Sequence, residues 1–245
     1  MTVNIPIVNA GLLYVNGLQL ARASNTTLTV QAGQARDSSN VNDIIIDSAV
    51  TINGAANGFN RLDTGSLANN TWYAVYAIGD STQNNPAGCQ ISANTSQPLL
   101  PDGYDMYRRI GWTLTDGSAH FLQFYQYGSD EKRNYWWDVG ISELSGGAAT
   151  TFTAINLLSS VPPIATNVRF DITFTPDGAT ELAEFRPTGS TATNGVVRFG
   201  CGVAAAQVGS IVVPCQLVTG APSVDYKVAS GDTLTLLTTG FDDFL

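Results

Sequence analysis

The chain has 245 residues, 44% of them apolar, enough for one large or two modest domains with a real core. Asp, Glu, Lys and Arg supply only 13% of it, against about 25% in an average domain, and Thr, Ser, Asn and Gly fill the gap. Net charge is −9, with eight acidic and five basic residues over 1–127 and twelve and six over 128–245, so neither half holds a basic patch and neither nucleic acid nor an anionic membrane is an expected partner.

Met1 is followed by neither a basic nor an apolar segment, which predicts no secretory leader. No apolar run approaches the ~18 residues of a membrane span. Residues 12–15 (LLYV), Asn16-Gly17 and residues 18–20 read as a hairpin on a type I′ turn. Residues 26–31 alternate and lead to a turn at Ala32-Gly33. Residues 43–52 are β-branched and apolar, and residues 71–78 and 89–93 are further strands. Pro101-Asp102-Gly103 has turn chemistry. Residues 109–115 form a strand, Thr115-Asp116-Gly117-Ser118 closes a hairpin, and residues 120–127 return as its partner.

The stretch 128–134 (GSDEKRN) is the densest charge cluster in a charge-poor chain and predicts a boundary, giving modules over 1–130 and 131–245. Strand candidates beyond it are residues 135–139, 152–157, 167–175, 181–186, 195–199, 210–218, 224–228 and 233–237, with turns at Pro162-Pro163 and Pro176-Asp177-Gly178. Residues 167–175 alternate cleanly, with Val168, Phe170, Ile172 and Phe174 on one face, as in a sheet with one wet side. Ala204-Ala205-Ala206-Gln207 offers at most one helical turn. Many short strands with closely spaced turns predict an all-β fold of two β-sandwich or jelly-roll-like modules with almost no helix.

The order TWYAVYAI (71–78), polar loop, LLPDGYDMYRRIG (99–111) and an aromatic strand ending QYG (126–128) resembles a module common in tailed-bacteriophage virion proteins, mostly tail-fibre, tail or head-appendage proteins. The resemblance spans roughly residues 10–128. Residues 135–245 are similar to the small C-terminal sandwich of phage fibres, through Val161-Pro162-Pro163, Asp225-Tyr226-Lys227-Val228 and Thr239-Gly240-Phe241. It implies a virion structural protein made in the bacterial cytoplasm, with no enzymatic role. Its first module would dock on the virion or build a homotrimer, and its second would face outward. Other virion proteins and a host surface glycan are the implied partners. A tail or fibre role in host attachment, a capsid decoration or head-fibre role, and a carbohydrate-binding or carbohydrate-degrading role all stay open.

Catalytic chemistry has few carriers. His120 is the one histidine, with no Gly-x-Ser-x-Gly elbow, and reads as structural. Asp102/Asp105, Glu181/Glu184 and Asp242/Asp243 are the carboxylate pairs that glycoside hydrolysis could use. No phosphate loop, GxGxxG or calcium loop is present, so no cofactor or metal is expected. Cys89, Cys201 and Cys215 form no CxxC pair and read as free thiols, with a Cys201–Cys215 bridge open if their strands neighbour. Tyr135-Trp136-Trp137 is the aromatic cluster with functional promise. Consecutive strand residues face opposite ways, so Trp136 and Trp137 cannot both enter one core unless both faces are covered: one sits in the core and the other packs on the neighbouring domain, makes a subunit contact or, if exposed, stacks on a sugar. Tyr104 and Tyr107 in the PDGYDMY loop carry the same ambiguity.

Overall fold

The computed structural model describes residues 14–128, 132–193, 196–218 and 221–245. The fold is all-β and β-sandwich-like, with no helix among the described residues. The chain divides into two units. One runs to residue 122 and takes in residues 127–133 and 245; the other is built from residues 123–126 and 134–244. Of the charged boundary stretch, Ser129, Asp130 and Glu131 lie outside the described residues.

The first unit holds β1 (Val15–Gly17), β2 (Leu20–Arg22), β3 (Thr27–Val30), β4 (Gly33–Arg36), β5 (Asp43–Ile46) and β6 (Val50–Asn57). It continues with β7 (Arg61–Leu62), β8 (Trp72–Gly79), β9 (Gly88–Ser92) and β10 (Met106–Leu114). Strands β1, β4 and β5 make a three-stranded sheet, and a second sheet runs β10-β8-β9-β7-β6-β3-β2. Strand β8 is buried along its whole length, as its unbroken apolar run requires, because a strand without polar alternation must be covered on both faces. Tyr73 and Tyr76, on opposite faces of β8, each spend their hydroxyl on loop backbone: Tyr73 Oη accepts from the Ala68 N–H at 2.7 Å and Tyr76 Oη donates to the Asn94 carbonyl at 3.0 Å. The β10–β8 pairing shifts register between Arg109 and Gly111, a bulge that leaves Ile110 as the extra residue.

The second unit holds β11 (Phe124–Tyr127), most of β12 (Lys132–Gly147), β13 (Thr153–Asn156), β14 (Asn167–Thr175), β15 (Leu182–Pro187) and β16 (Val197–Gly200). It ends with β17 (Gln207–Pro214), β18 (Gln216–Val218), β19 (Ala221–Lys227) and β20 (Thr233–Phe244). One sheet runs β11-β12-β20-β14-β17; the other runs β13-β19-β15-β16, with β18 also on β19. Val168, Phe170, Ile172 and Phe174 on β14 are all at most 2% exposed, so the alternation read from the sequence is the inner face of this sheet. Tyr135 stacks on Phe241 with centroids 4.3 Å apart at 12°, and Phe124 meets Trp137 edge-on at 6.4 Å. The two sheets approach closely at Gly209, where an added Cβ would lie 2.6 Å from the Phe199 ring.

Four local expectations are corrected. Asn16-Gly17 is not a hairpin turn. β1 pairs with β4 and β2 with β3, so residues 15–22 form one arm of a long ribbon whose turn lies at 23–27, where the Ala23 N–H donates to the Thr27 carbonyl at 3.0 Å. Gly17 (φ 67°) faces Gly33 across the ribbon, with the Ala32 carbonyl oxygen only 2.5 Å from where its Cβ would stand. A positive φ and a backbone this close both require glycine, and the ribbon passes there from one sheet to the other. For the same reason Ala32-Gly33 is a step within the ribbon and not a turn.

The hairpin expected at residues 115–118 is a single bridge, Thr115 to Phe121. The chain then leaves, and β11 lies beside β12 instead of β10. Residues 202–205 form a bend, not a helical turn.

Candidate interaction surface

β14 sets the geometry of the second unit's outer face. Directly opposed residues of antiparallel strands share a face. Asp171 lies opposite Leu237 of β20 and Ser210 of β17, Arg169 lies opposite Val212, and Thr173 lies opposite Val208. On β12, Gly140 abuts Leu237, and the Arg169 guanidinium donates to Asn134 Oδ1 at 3.1 Å. Asn134, Trp136, Asp138 and Gly140 therefore share that face by the two-residue period of a strand.

Trp136 is 43% exposed there, and Val212 and Val208 are 47% and 78% exposed. Tyr125 on β11 is also exposed, and its hydroxyl donates to Asp138 Oδ1 at 3.1 Å. That hydrogen bond and the charge of the same carboxylate raise the Tyr125 phenol above its ordinary value. Aromatic and aliphatic side chains on one solvent-facing sheet, beside Asp138, Arg169 and Asp171, form a surface able to bury itself against protein or to stack on a sugar ring.

Of the aromatic residues singled out in the sequence, Trp136 is the one left in solvent. Tyr135 and Trp137 are 1% and 2% exposed, and Trp137 Nε1 donates to the Ser160 carbonyl at 3.1 Å. Both flanking rings thus enter the core of their own unit and Trp136 points away, as strand alternation demands. Tyr104 and Tyr107 belong to the first unit. Tyr104 stacks on Phe59 at 5.3 Å and donates to the Pro86 carbonyl at 2.9 Å; Tyr107 sits edge-on to Tyr76 at 6.0 Å. Both are half-buried. Tyr125 was not singled out, although it lies in the aromatic run FLQFYQYG that the sequence displays.

The three carboxylate pairs separate. Asp105 takes the Ser81 N–H at 2.8 Å, while Asp102 is exposed on the loop. Glu184 is held by Lys227 at 2.6 Å and Arg198 at 3.0 Å, and Glu181 turns elsewhere. Asp242 pairs with Arg169 and Asn167; Asp243 beside it is buried. His120 lies at the loop, Nδ1 3.8 Å from Asp116 Oδ2, with a part-exposed ring.

A cleft of about 600 Å³ in the first unit includes Arg36, Asp43, Asp80 and Met106. Its carboxylates are engaged: Asp43 with Arg36 at 3.2 Å, and Asp80 with the Thr82 hydroxyl and the Asn84 and Asn85 N–H groups. The Thr82 hydroxyl chiefly holds the Asp80 carboxyl below its usual range. Asp80 is therefore a strong acceptor that knots its own loop, and a poor proton donor.

Cys89, Cys201 and Cys215 are free thiols, so Cys201 and Cys215 do not pair. Burial pushes the Cys89 thiol far up and, with Asp242 adding to it, the Cys215 thiol to about 12. Neither forms a thiolate near neutral pH. No family model and no curated protein matches the chain.

Proposed function

We propose that this protein is a non-enzymatic structural component of a tailed-bacteriophage particle, a tail- or fibre-type appendage protein that assembles as a homotrimer and contributes to host attachment. The observation that carries the reading is the exposed face around Trp136. Tyr125, Leu237, Val208 and Val212 share the solvent-facing side of its unit, and an aromatic anchor beside exposed aliphatic side chains has the composition of an interface core. The order of the TWYAVYAI and LLPDGYDMYRRIG segments, the all-β fold and the 13% charged content support it further. The function is then interface burial repeated by symmetry, with nothing turned over.

Light scattering on the purified chain tests the assembly. A stable multiple of 25.9 kDa that survives dilution and falls to the single-chain mass in Trp136→Ser is the expected result. A monomer at every concentration overturns the trimer.

A second reading, glycan binding at the same face, is favoured by the Tyr125–Asp138 pair. That pair sets a fixed carboxylate on the strand that carries the exposed Trp136 ring, the combination that stacks on a sugar and accepts its hydroxyls. Glycan-array binding by the intact chain, lost in Trp136→Ser, supports it. Release of reducing ends from host capsule would instead make the protein an enzyme and overturn the structural role.

A further inference from the structure

β14 ends at Thr175, which pairs with Thr233 at the start of β20. That register brings the Pro176-Asp177-Gly178 turn beside Gly231-Asp232, and the same turn leads directly to Glu181 at the foot of β15. One carboxylate oxygen from each of Asp177, Glu181 and Asp232 lies within 4.8 Å of the other two.

The backbone is built around these carboxylates. The Asp177 N–H donates to Asp232 Oδ1 at 2.9 Å, and the Gly178 N–H donates to a Glu181 carboxylate oxygen at 3.2 Å. Gly231 adopts φ 99°, and the Asp177 carboxylate occupies the space its Cβ would fill. Asp232 is 0% exposed, yet its second oxygen, Oδ2, is buried without a hydrogen-bond partner. None of the three carboxylates forms an ion pair with a Lys or Arg among the described residues: Lys227 and Arg198 are taken by Glu184.

Three carboxylates with no counter-charge, one of them buried with an oxygen left over, are a costly arrangement unless a shared proton or a cation joins them, and a cation satisfies all three at once. We propose that Asp177, Glu181 and Asp232 bind a divalent calcium ion that ties the β14–β15 turn to the β19–β20 turn. All the donors are oxygens, which selects a hard cation over zinc or copper. A span of up to 4.8 Å fits within the oxygen shell of calcium, about 4.6–5.2 Å across at its bond lengths. The ligands come from turns instead of a rigid cage, which suits the adaptable coordination of calcium better than the strict octahedron of magnesium. Asp177 is exposed, so the ion has a way in from solvent and room for water ligands. The site lies within one unit and does not depend on the proposed assembly or virion role.

The test is calorimetric titration of the chelator-stripped full chain with calcium chloride, alongside thermal unfolding with and without the ion. The expected result is one saturable site per chain at roughly 0.1–1 mM, in the range of extracellular calcium modules, and a midpoint that climbs with calcium concentration. Magnesium at equal concentration should give a weaker response. Asp177→Asn and Glu181→Gln should each weaken binding about tenfold or more. Both keep the size of the side chain, and Asp177 is exposed, so Asp177→Asn tests the site even if Glu181→Gln or Asp232→Asn folds poorly. No saturable heat and no midpoint shift up to about 10 mM calcium overturns the proposal, that being ten times the weak end of the expected range. Undiminished binding in both variants does so too. Equal binding of magnesium overturns the assignment to calcium.

Discussion

The two units bury their central strands in opposite ways. In the first, β8 is enclosed on both faces, and its tyrosines hydrogen-bond to loops lying over each side. In the second, β14 buries Val168, Phe170, Ile172 and Phe174 and turns Arg169, Asp171 and Thr173 away from them. The first solution uses up its surface: little of β8 is left for a partner. The second keeps a whole sheet face available, and Trp136, Leu237, Val208 and Val212 lie on it. The difference follows from patterning. A continuous apolar run forces coverage on two sides, whereas strict alternation needs only one.

Truncating the enclosed rings should break the comparison most severely. Trp112, 0% exposed and edge-on to Trp72 at 6.3 Å, anchors the first unit, and Phe170 anchors the second. Trp112→Ala and Phe170→Ala should each cost about 3–5 kcal/mol, measured by denaturant unfolding. A loss under about 1 kcal/mol would mean that the ring is not packed as described.

Next comes the ion pair of the second unit. Asp242 and Arg169 are joined with their side chains 5% and 17% exposed, and Asp242→Ala would leave the guanidinium without its carboxylate. We expect a loss of about 3 kcal/mol, with Asp242→Asn milder because its amide oxygen can still accept a hydrogen bond. Equal losses in the two variants would show that the carboxylate charge, not packing or a retained acceptor, holds the pair.

A smaller effect separates the units by pH. Burial raises the Glu143 carboxyl in the second unit, although hydrogen bonds from Ser160, Ser159 and Thr238 offset part of that. The folded state therefore takes up the Glu143 proton more readily than the unfolded chain. Its favourable contribution is complete below the unfolded value and is lost as pH rises through the folded one. Glu143→Gln should raise the unfolding midpoint at pH 7–8, and the gain should vanish near pH 4, at about the ordinary Glu value.

Asp80 in the first unit has the opposite sign. Its lowered carboxyl contributes stability above the ordinary Asp range and loses it as pH falls through the folded value. Asp80→Asn should therefore destabilise at neutral pH and converge with the parent in strong acid. Same-signed responses in the two variants would refute the contrast.

The smallest change in stability should come from the face left open. Trp136→Ser should alter unfolding by no more than about 0.5 kcal/mol, as is usual for surface positions. The same substitution is expected to abolish self-association. A large fall in stability of the monomer would mean that Trp136 belongs to the core after all.

Much of this was legible in the chain. Asn167–Thr175 reads as a half-buried strand, and that is the strand observed. The apolar run at 71–78 reads as β8, because burying apolar side chains on a pleated backbone leaves a local pattern. The Tyr135-Trp136-Trp137 triplet announced that one ring must point away from its neighbours. Burial of Tyr135 and Trp137 makes that ring Trp136. Asn16-Gly17 misled, because the local preference of that pair for a tight turn was overridden by the long ribbon pairing of β1–β2 with β3–β4. Sequence proximity does not decide which carboxylates meet either. Glu181 and Glu184 are close in sequence, but Glu181 joins Asp177 and Asp232 while Glu184 joins Lys227 and Arg198.

The sequence by itself determined the all-β class, most strand positions and the alternation of side chains along each strand, because these depend on a two-residue period and on turn chemistry within a few residues. Only the tertiary structure decided which strands pair, which ring stays in solvent and which carboxylates meet. Those outcomes depend on register between segments far apart in the chain. No local pattern encodes that register: Asp177 and Asp232 become neighbours only because Thr175 pairs with Thr233.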